Sequence, residues 1–108
     1  MALREQSYLI LLALSQGPLH GYGVIKTVRE LSEERVRLGA GTLYGALDRL
    51  AGDGLVIAVK EEVVSGRHRR YYDLTGHGRQ VLAEETARLA RLATTAQRRL
   101  SLQPGMGM

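Results

Sequence analysis

Arg67, His68, Arg69 and Arg70 follow the turn residues Ser65 and Gly66, and the stretch holds three guanidinium groups and no carboxylate. Guanidinium is a planar fork of donors that fits phosphate oxygens, so the chemistry such a stretch offers is anion capture. An ordinary solvated hairpin tip has a similar make-up, but the missing acid favours phosphate. A second set is Thr42, Tyr44, Gly45 and Arg49, which share the outward side of a helix with Asp48, while Leu43, Ala46, Leu47 and Leu50 mark its inner side. With Gly41, Thr42 and Gly45 small, such a helix fits the major groove of DNA, about 12 Å wide. Arg49 suits a guanine edge or a phosphate, and Thr42 a phosphate oxygen or a thymine methyl. Lys26, Thr27 and Arg29 lie on the polar face of the preceding helix, where Tyr22 fits either the core or a phosphate contact.

Bond-making chemistry finds no comparable support. His20, His68 and His77 sit on separate turns or caps, without the one-turn spacing of a helical metal site, and Asp48, Asp53 and Asp73 show no pairing. Gly39-Ala40-Gly41 and Gly76-His77-Gly78 lack the third glycine and the lysine of a phosphate loop. There is no cysteine for a thiolate nucleophile, a disulfide or a sulfur-ligated zinc. The chain reads as a non-enzyme without metal or cofactor.

The 108 residues make one small domain, long enough for a modest core, in which self-association adds useful burial. A formal charge of +4 and a pI near 9.9 point to an anionic partner, nucleic acid first. Only Lys26 and Lys60 are lysines, so the positive charge is almost all arginine, a bias that a GC-rich genome also produces. The most apolar run, Tyr8 to Leu14, is far short of the ~18 residues that span a bilayer, and no cleavage signal follows it. A cytoplasmic location is expected.

The elements that must position these residues can be read in order. Leu3, Ile10, Leu11 and Leu14 predict a helix over 3–16, stopped at Gly17 and Pro18, and Tyr22, Ile25 and Val28 predict another over 21–31. Val36 and Leu38, alternating with arginines, suggest a short strand. The outward-facing set belongs to a third helix, from Gly39 or Ala40 to the stop at Gly52-Asp53-Gly54. From Leu55 the period becomes two, with Leu55, Ile57, Val59 and Val63 on one face. A second strand over Arg69–Leu74 then makes an antiparallel hairpin, in which Tyr71 and Tyr72 point to opposite faces. Thr75 caps a last helix whose Leu82, Thr86, Leu89, Ala93, Ala96 and Leu100 alternate spacings of four and three, the seam of a helix pairing. This helix extends beyond what three short helices can cover, which favours a dimer. The expected division is a DNA-binding unit over 1–74, a dimerisation helix over 75–102, and a disordered tail over 103–108.

Three short helices followed by a hairpin with a basic tip is the order of a winged helix-turn-helix, in which the third helix enters the major groove and the hairpin lies along the backbone. At this point the chain resembles the PadR transcriptional regulators. The resemblance rests on His20-Gly21-Tyr22-Gly23, on Leu38-Gly39-Ala40-Gly41-Thr42-Leu43-Tyr44, on Asp53-Gly54-Leu55 and on Arg69-Arg70-Tyr71-Tyr72-Asp73-Leu74-Thr75, four blocks in order that cover about Leu3 to Leu100. Ala40 stands where family members often carry proline, and alanine is also acceptable in a first helical turn. The resemblance implies a mainly α fold with a small β hairpin: a winged helix-turn-helix plus a long C-terminal dimerisation helix, as in the short-tailed subgroup. It implies a homodimeric repressor that binds double-stranded DNA at an inverted repeat, and it allows a small-molecule effector, for which Tyr8, Tyr71 and Tyr72 are the only aromatics to consider. The rival reading is a winged-helix module that binds protein and not DNA.

Overall fold

The computed structural model describes residues 3–102. Its elements are α1 (Glu5–Ala13), a 3-10 turn (Leu14–Gln16), β1 (Leu19–His20), α2 (Gly21–Leu31), α3 (Ala40–Gly52), β2 (Val56–Val64), β3 (Arg67–Leu74) and α4 (Gly76–Ser101). Helical spacing and the glycine stop place α2 and α3 where the structure has them. The first helix is shorter than its expected span because its end tightens into the 3-10 turn ahead of Pro18. Leu9, Ile10, Leu11, Ala13 and Leu14 are buried in near succession, since α1 is covered by α2 on one side and by α4 on another. Val24, Val28, Leu43, Leu47, Leu55 and Tyr72 join them in one core.

Strand β3 is the centre of a three-stranded antiparallel sheet in the order β1-β3-β2. Leu19 pairs with Tyr72 and His20 with Tyr71, an edge strand that was not expected, because two residues cannot display a period. The strand expected at Val36 and Leu38 does not form. Residues 32–39 are an irregular connection in which Glu33 and Glu34 take left-handed φ angles of 53° and 70°. The Val36 N–H donates to Ser32 Oγ at 2.9 Å, and Leu38 turns into the core. The alternation marks inward-facing side chains on a segment that pairs with no strand among the described residues.

Strands β2 and β3 meet at Ser65 and Gly66, both at positive φ (51° and 79°), a tight turn whose twist matches that of the strands. The register runs from Val56 opposite Leu74 to Val64 opposite Arg67, with a bulge between Ala58 and Lys60. The expected common face of Leu55, Ile57, Val59 and Val63 is broken by that extra residue. Ile57 shares a face with Asp73, whereas Val63 lies opposite His68 on the other face. Leu55 and Val56 are buried, and Ile57, Val59 and Val63 are exposed. Only the base of the hairpin is packed; its outer half projects as a wing.

Thr75 caps α4 as expected: its Oγ1 accepts from the Gly78 N–H at 2.9 Å and donates to the Gly54 carbonyl. Val81, Leu82 and Glu85 are buried. The Thr86 hydroxyl donates to the Leu82 carbonyl at 2.8 Å, so the Tyr8 hydroxyl is the donor in the 2.7 Å bond between them, which ties α4 to α1. From Thr86 to Leu102 every residue is exposed. Of the expected seam, Leu82 belongs to the chain's own core, whereas Leu89, Ala93, Ala96 and Leu100 lie on the exposed part. The molecule measures 62 × 27 × 21 Å. The tail expected over 103–108 lies outside the described residues.

Candidate nucleic-acid interface

Leu43, Ala46, Leu47 and Leu50 fasten α3 to the core, which leaves Thr42, Tyr44, Asp48 and Arg49 exposed on its other side and Gly45 half-buried. Tyr44 is 45% exposed, and its hydroxyl abuts Gly21 at the start of α2. A Cβ at position 21 would collide with that hydroxyl and lie 2.9 Å from the ring Cζ. Glycine therefore lets the two helices of the helix-turn-helix meet closely. His20 caps α2, its Nδ1 accepting from the Gly23 N–H at 3.2 Å, and its ring stands edge-on to Tyr71 with centroids 5.3 Å apart. Tyr22 is 73% exposed, which removes the core alternative. Lys26, one turn along α2, is also exposed.

The wing is less basic in space than in sequence. Arg67, His68, Arg69 and Arg70 are all exposed, but β2 sets Glu61 opposite Arg70 and Glu62 opposite Arg69. The Arg70 Nε donates to the Glu61 carboxylate at 3.0 Å. The Tyr72 hydroxyl and then Glu61 push the Arg70 guanidinium above its ordinary range. Glu62 accepts from the Tyr71 hydroxyl at 2.6 Å and lies 3.6 Å from Lys60 Nζ, and these contacts, Tyr71 first, hold its carboxyl below its usual value. The Lys60 ammonium sits 4.7 Å from the centre of the Tyr71 ring. Tyr71 is half-buried and Tyr72 is in the core, in keeping with their opposite faces.

Helix α3 and the wing converge on an open cleft of about 400 Å³, with Tyr44 and Asp48 on one wall and Glu61, His68, Arg70 and Tyr72 on the other. His68, Arg70 and Tyr72 alternate along one face of β3, and Arg67, Arg69 and Tyr71 along the opposite face, although Arg69 also lines the cleft. The structure thus gathers Tyr44, His68, Arg69 and Arg70 at the cleft, with Thr42, Gly45 and Arg49 on the exposed turns of α3 and with Tyr22 and Lys26 on α2. Sequence reasoning missed Asp48 and Glu61 as cleft residues. Asp48 was legible one turn after Tyr44, but Glu61 needed the register.

Tyr8, Tyr71 and Tyr72 do not share a slot. Tyr8 lines a separate groove of about 610 Å³ with Leu31, Val36 and Leu89, whereas Tyr71 and Tyr72 belong to the wing and its base. Among the described residues no three His, Cys, Asp or Glu side chains gather as a metal site, and no helix is long and apolar enough to cross a membrane.

Known proteins resemble the chain in sequence or in fold. The chain is 41% identical over 93 residues to an uncharacterized 37.1 kDa protein in transposon TN4556 of Streptomyces fradiae, and 45% identical over 65 residues to the transcriptional regulator Rv3488 of Mycobacterium tuberculosis. These alignments take in 86% and 60% of the chain, which spans 25% and 60% of the length of the two relatives. Among solved structures, a PadR family transcription regulator from Clostridium difficile superposes with a TM-score of 0.77 at 27% identity, over 90% of this chain and 99% of that one. Bacillus subtilis PadR, solved in complex with operator DNA, shares the fold with a TM-score of 0.68 at 24% identity, over 77% of this chain and 47% of that one. The family model for the PadR-like transcriptional regulators matches residues 10–84, from the last turns of α1 through the wing into the start of α4, and the chain belongs to that family.

Proposed function

We propose that the chain binds double-stranded DNA in the cytoplasm as a homodimeric, sequence-specific repressor, with 1–74 as the DNA-binding unit and 75–102 as the dimerisation helix. The observation that carries this reading is the convergence of the exposed side of α3 with the arginines of the wing on one cleft. In this reading α3 enters the major groove through Thr42, Tyr44, Gly45 and Arg49, and Tyr22, Lys26, Arg67, His68, Arg69 and Arg70 follow the backbone on either side. The exposed Leu89, Ala93, Ala96 and Leu100 on α4 support pairing with a second copy, and the operator bound by Bacillus subtilis PadR supports DNA as the ligand. A twofold dimer presents two α3 helices about 34 Å apart and prefers an inverted repeat. In this reading a small-molecule effector would release the protein from its operator.

Selection of bound duplexes from a random DNA pool tests the reading. The expected result is enrichment of an inverted repeat with a fixed spacer. Failure to enrich any sequence would leave the protein-binding module as the better account.

A further inference from the structure

The Glu61–Arg70 pair lies on the wall of the cleft that faces α3. We propose that Glu61 is a built-in counterion that competes with DNA phosphate for Arg70 and so lowers the affinity of the wing for any DNA. The inference rests on the DNA-binding reading above.

Three observations carry it. First, the pair is accessible: the Arg70 and Glu61 side chains are 56% and 55% exposed, so a phosphate can approach Arg70 where Glu61 now sits. An exposed pair of this kind is weak, holding its partners together by a factor of only about 1.4 to 5, and it can be exchanged. Second, Glu61 has no other ion-pair partner among the described residues, whereas Glu62 is committed to Tyr71 and Lys60. Third, Asp48 stands across the same cleft on α3. A phosphate entering there meets two carboxylates, and once Arg70 turns to the phosphate the Glu61 charge is left uncompensated. Arg67 and Arg69, on the opposite face, make no ion pair among the described residues. Of the three wing arginines, Arg70 alone is held by a carboxylate at ion-pair distance among the described residues.

The test is a double-mutant cycle read by fluorescence anisotropy on a labelled random-sequence duplex at low salt, with thermal melts to verify that each variant folds. Glu61→Gln keeps the shape of the side chain and is expected to bind about two- to fivefold more tightly than the parent. Arg70→Ala is expected to bind more weakly, and in that background Glu61→Gln is expected to gain clearly less than it does in the parent. A parent that binds while Glu61→Gln binds no more tightly overturns this inference alone. An equal gain in the Arg70→Ala background also overturns it, since Glu61 would then repel DNA without acting through Arg70. A parent that does not bind the duplex at all overturns the DNA-binding reading, and this inference with it.

Discussion

Gly78 sits in the first turns of α4 against the backbone of Leu55, whose carbonyl accepts from the Thr75 N–H at 3.1 Å and cannot yield. A Cβ at position 78 would collide with that carbonyl oxygen and lie 2.8 Å from its carbon. Exchange of glycine for alanine inside a helix ordinarily stabilises by about 1 kcal/mol; here the sign reverses. Gly78→Ala is expected to cost about 1–3 kcal/mol in thermal or urea unfolding, as overpacking does. Gly76→Ala, where a Cβ meets nothing within 4 Å, is its control and should not destabilise. For the wing, Arg67→Ala with Arg69→Ala is expected to flatten the plot of log affinity against log salt by about one unit per lost phosphate contact, equally for all sequences. An unchanged slope in a salt titration would remove these two arginines from the interface. The exposed Tyr22 shows why single residues were the hardest to read: its spacing with Ile25 and Val28 places it on the apolar pattern of α2, but the helix turns Val24 and Val28 into the core and leaves Tyr22 73% exposed.

On α4, Glu85 has a side chain only 5% exposed and takes two hydrogen bonds from Arg88, at 2.8 and 2.9 Å. The Arg88 contact, above all its hydrogen bonds, holds the Glu85 carboxyl below its usual value of 4.5. A depressed carboxyl stabilises the fold fully above the unfolded value and loses that contribution as pH falls through the folded one. Glu85→Gln is therefore expected to melt at a lower temperature than the parent at pH 7. The gap should narrow below pH 4.5, as read by circular dichroism at both pH values; a gap that stays constant would show that the charge does not matter. The elements themselves were legible in proportion to their length. Eleven residues of α2 and thirteen of α3 are enough to show a helical period and its caps, whereas the two residues of β1 show no period. The hairpin was legible as two strands and a turn. The bulge between Ala58 and Lys60 was not, and with it went the register that sets Glu61 and Glu62 against the arginines. The exposed surfaces of α3 and the wing were therefore legible as surfaces, whereas the carboxylates that β2 sets against the wing arginines were not.

At the scale of the molecule, the exposed length of α4 is the surface that the proposed dimer would use. Leu92, 56% exposed, stands among Leu89, Ala93 and Ala96 on a helix surface that the chain's own core does not reach. Leu92→Asp is expected to shift the mass in light scattering from dimer to monomer while the helix content persists; an unchanged dimer would place the contact elsewhere. A pairing through the distal part of α4 also gives its 26 residues the role of a ruler. Each residue between the core and the contact adds about 1.5 Å of reach and about 100° of rotation. Insertion of about seven residues after Glu85 would keep nearly the same face toward the partner while lengthening the arm by about 10 Å. Insertion of two would turn that face away. The first variant should select operators with a longer spacer, and the second should still dimerise but lose its preference for an inverted repeat because its two α3 helices no longer face one side of the duplex; the distance between half-sites would then be written in the count of helical turns and not in any residue that touches DNA.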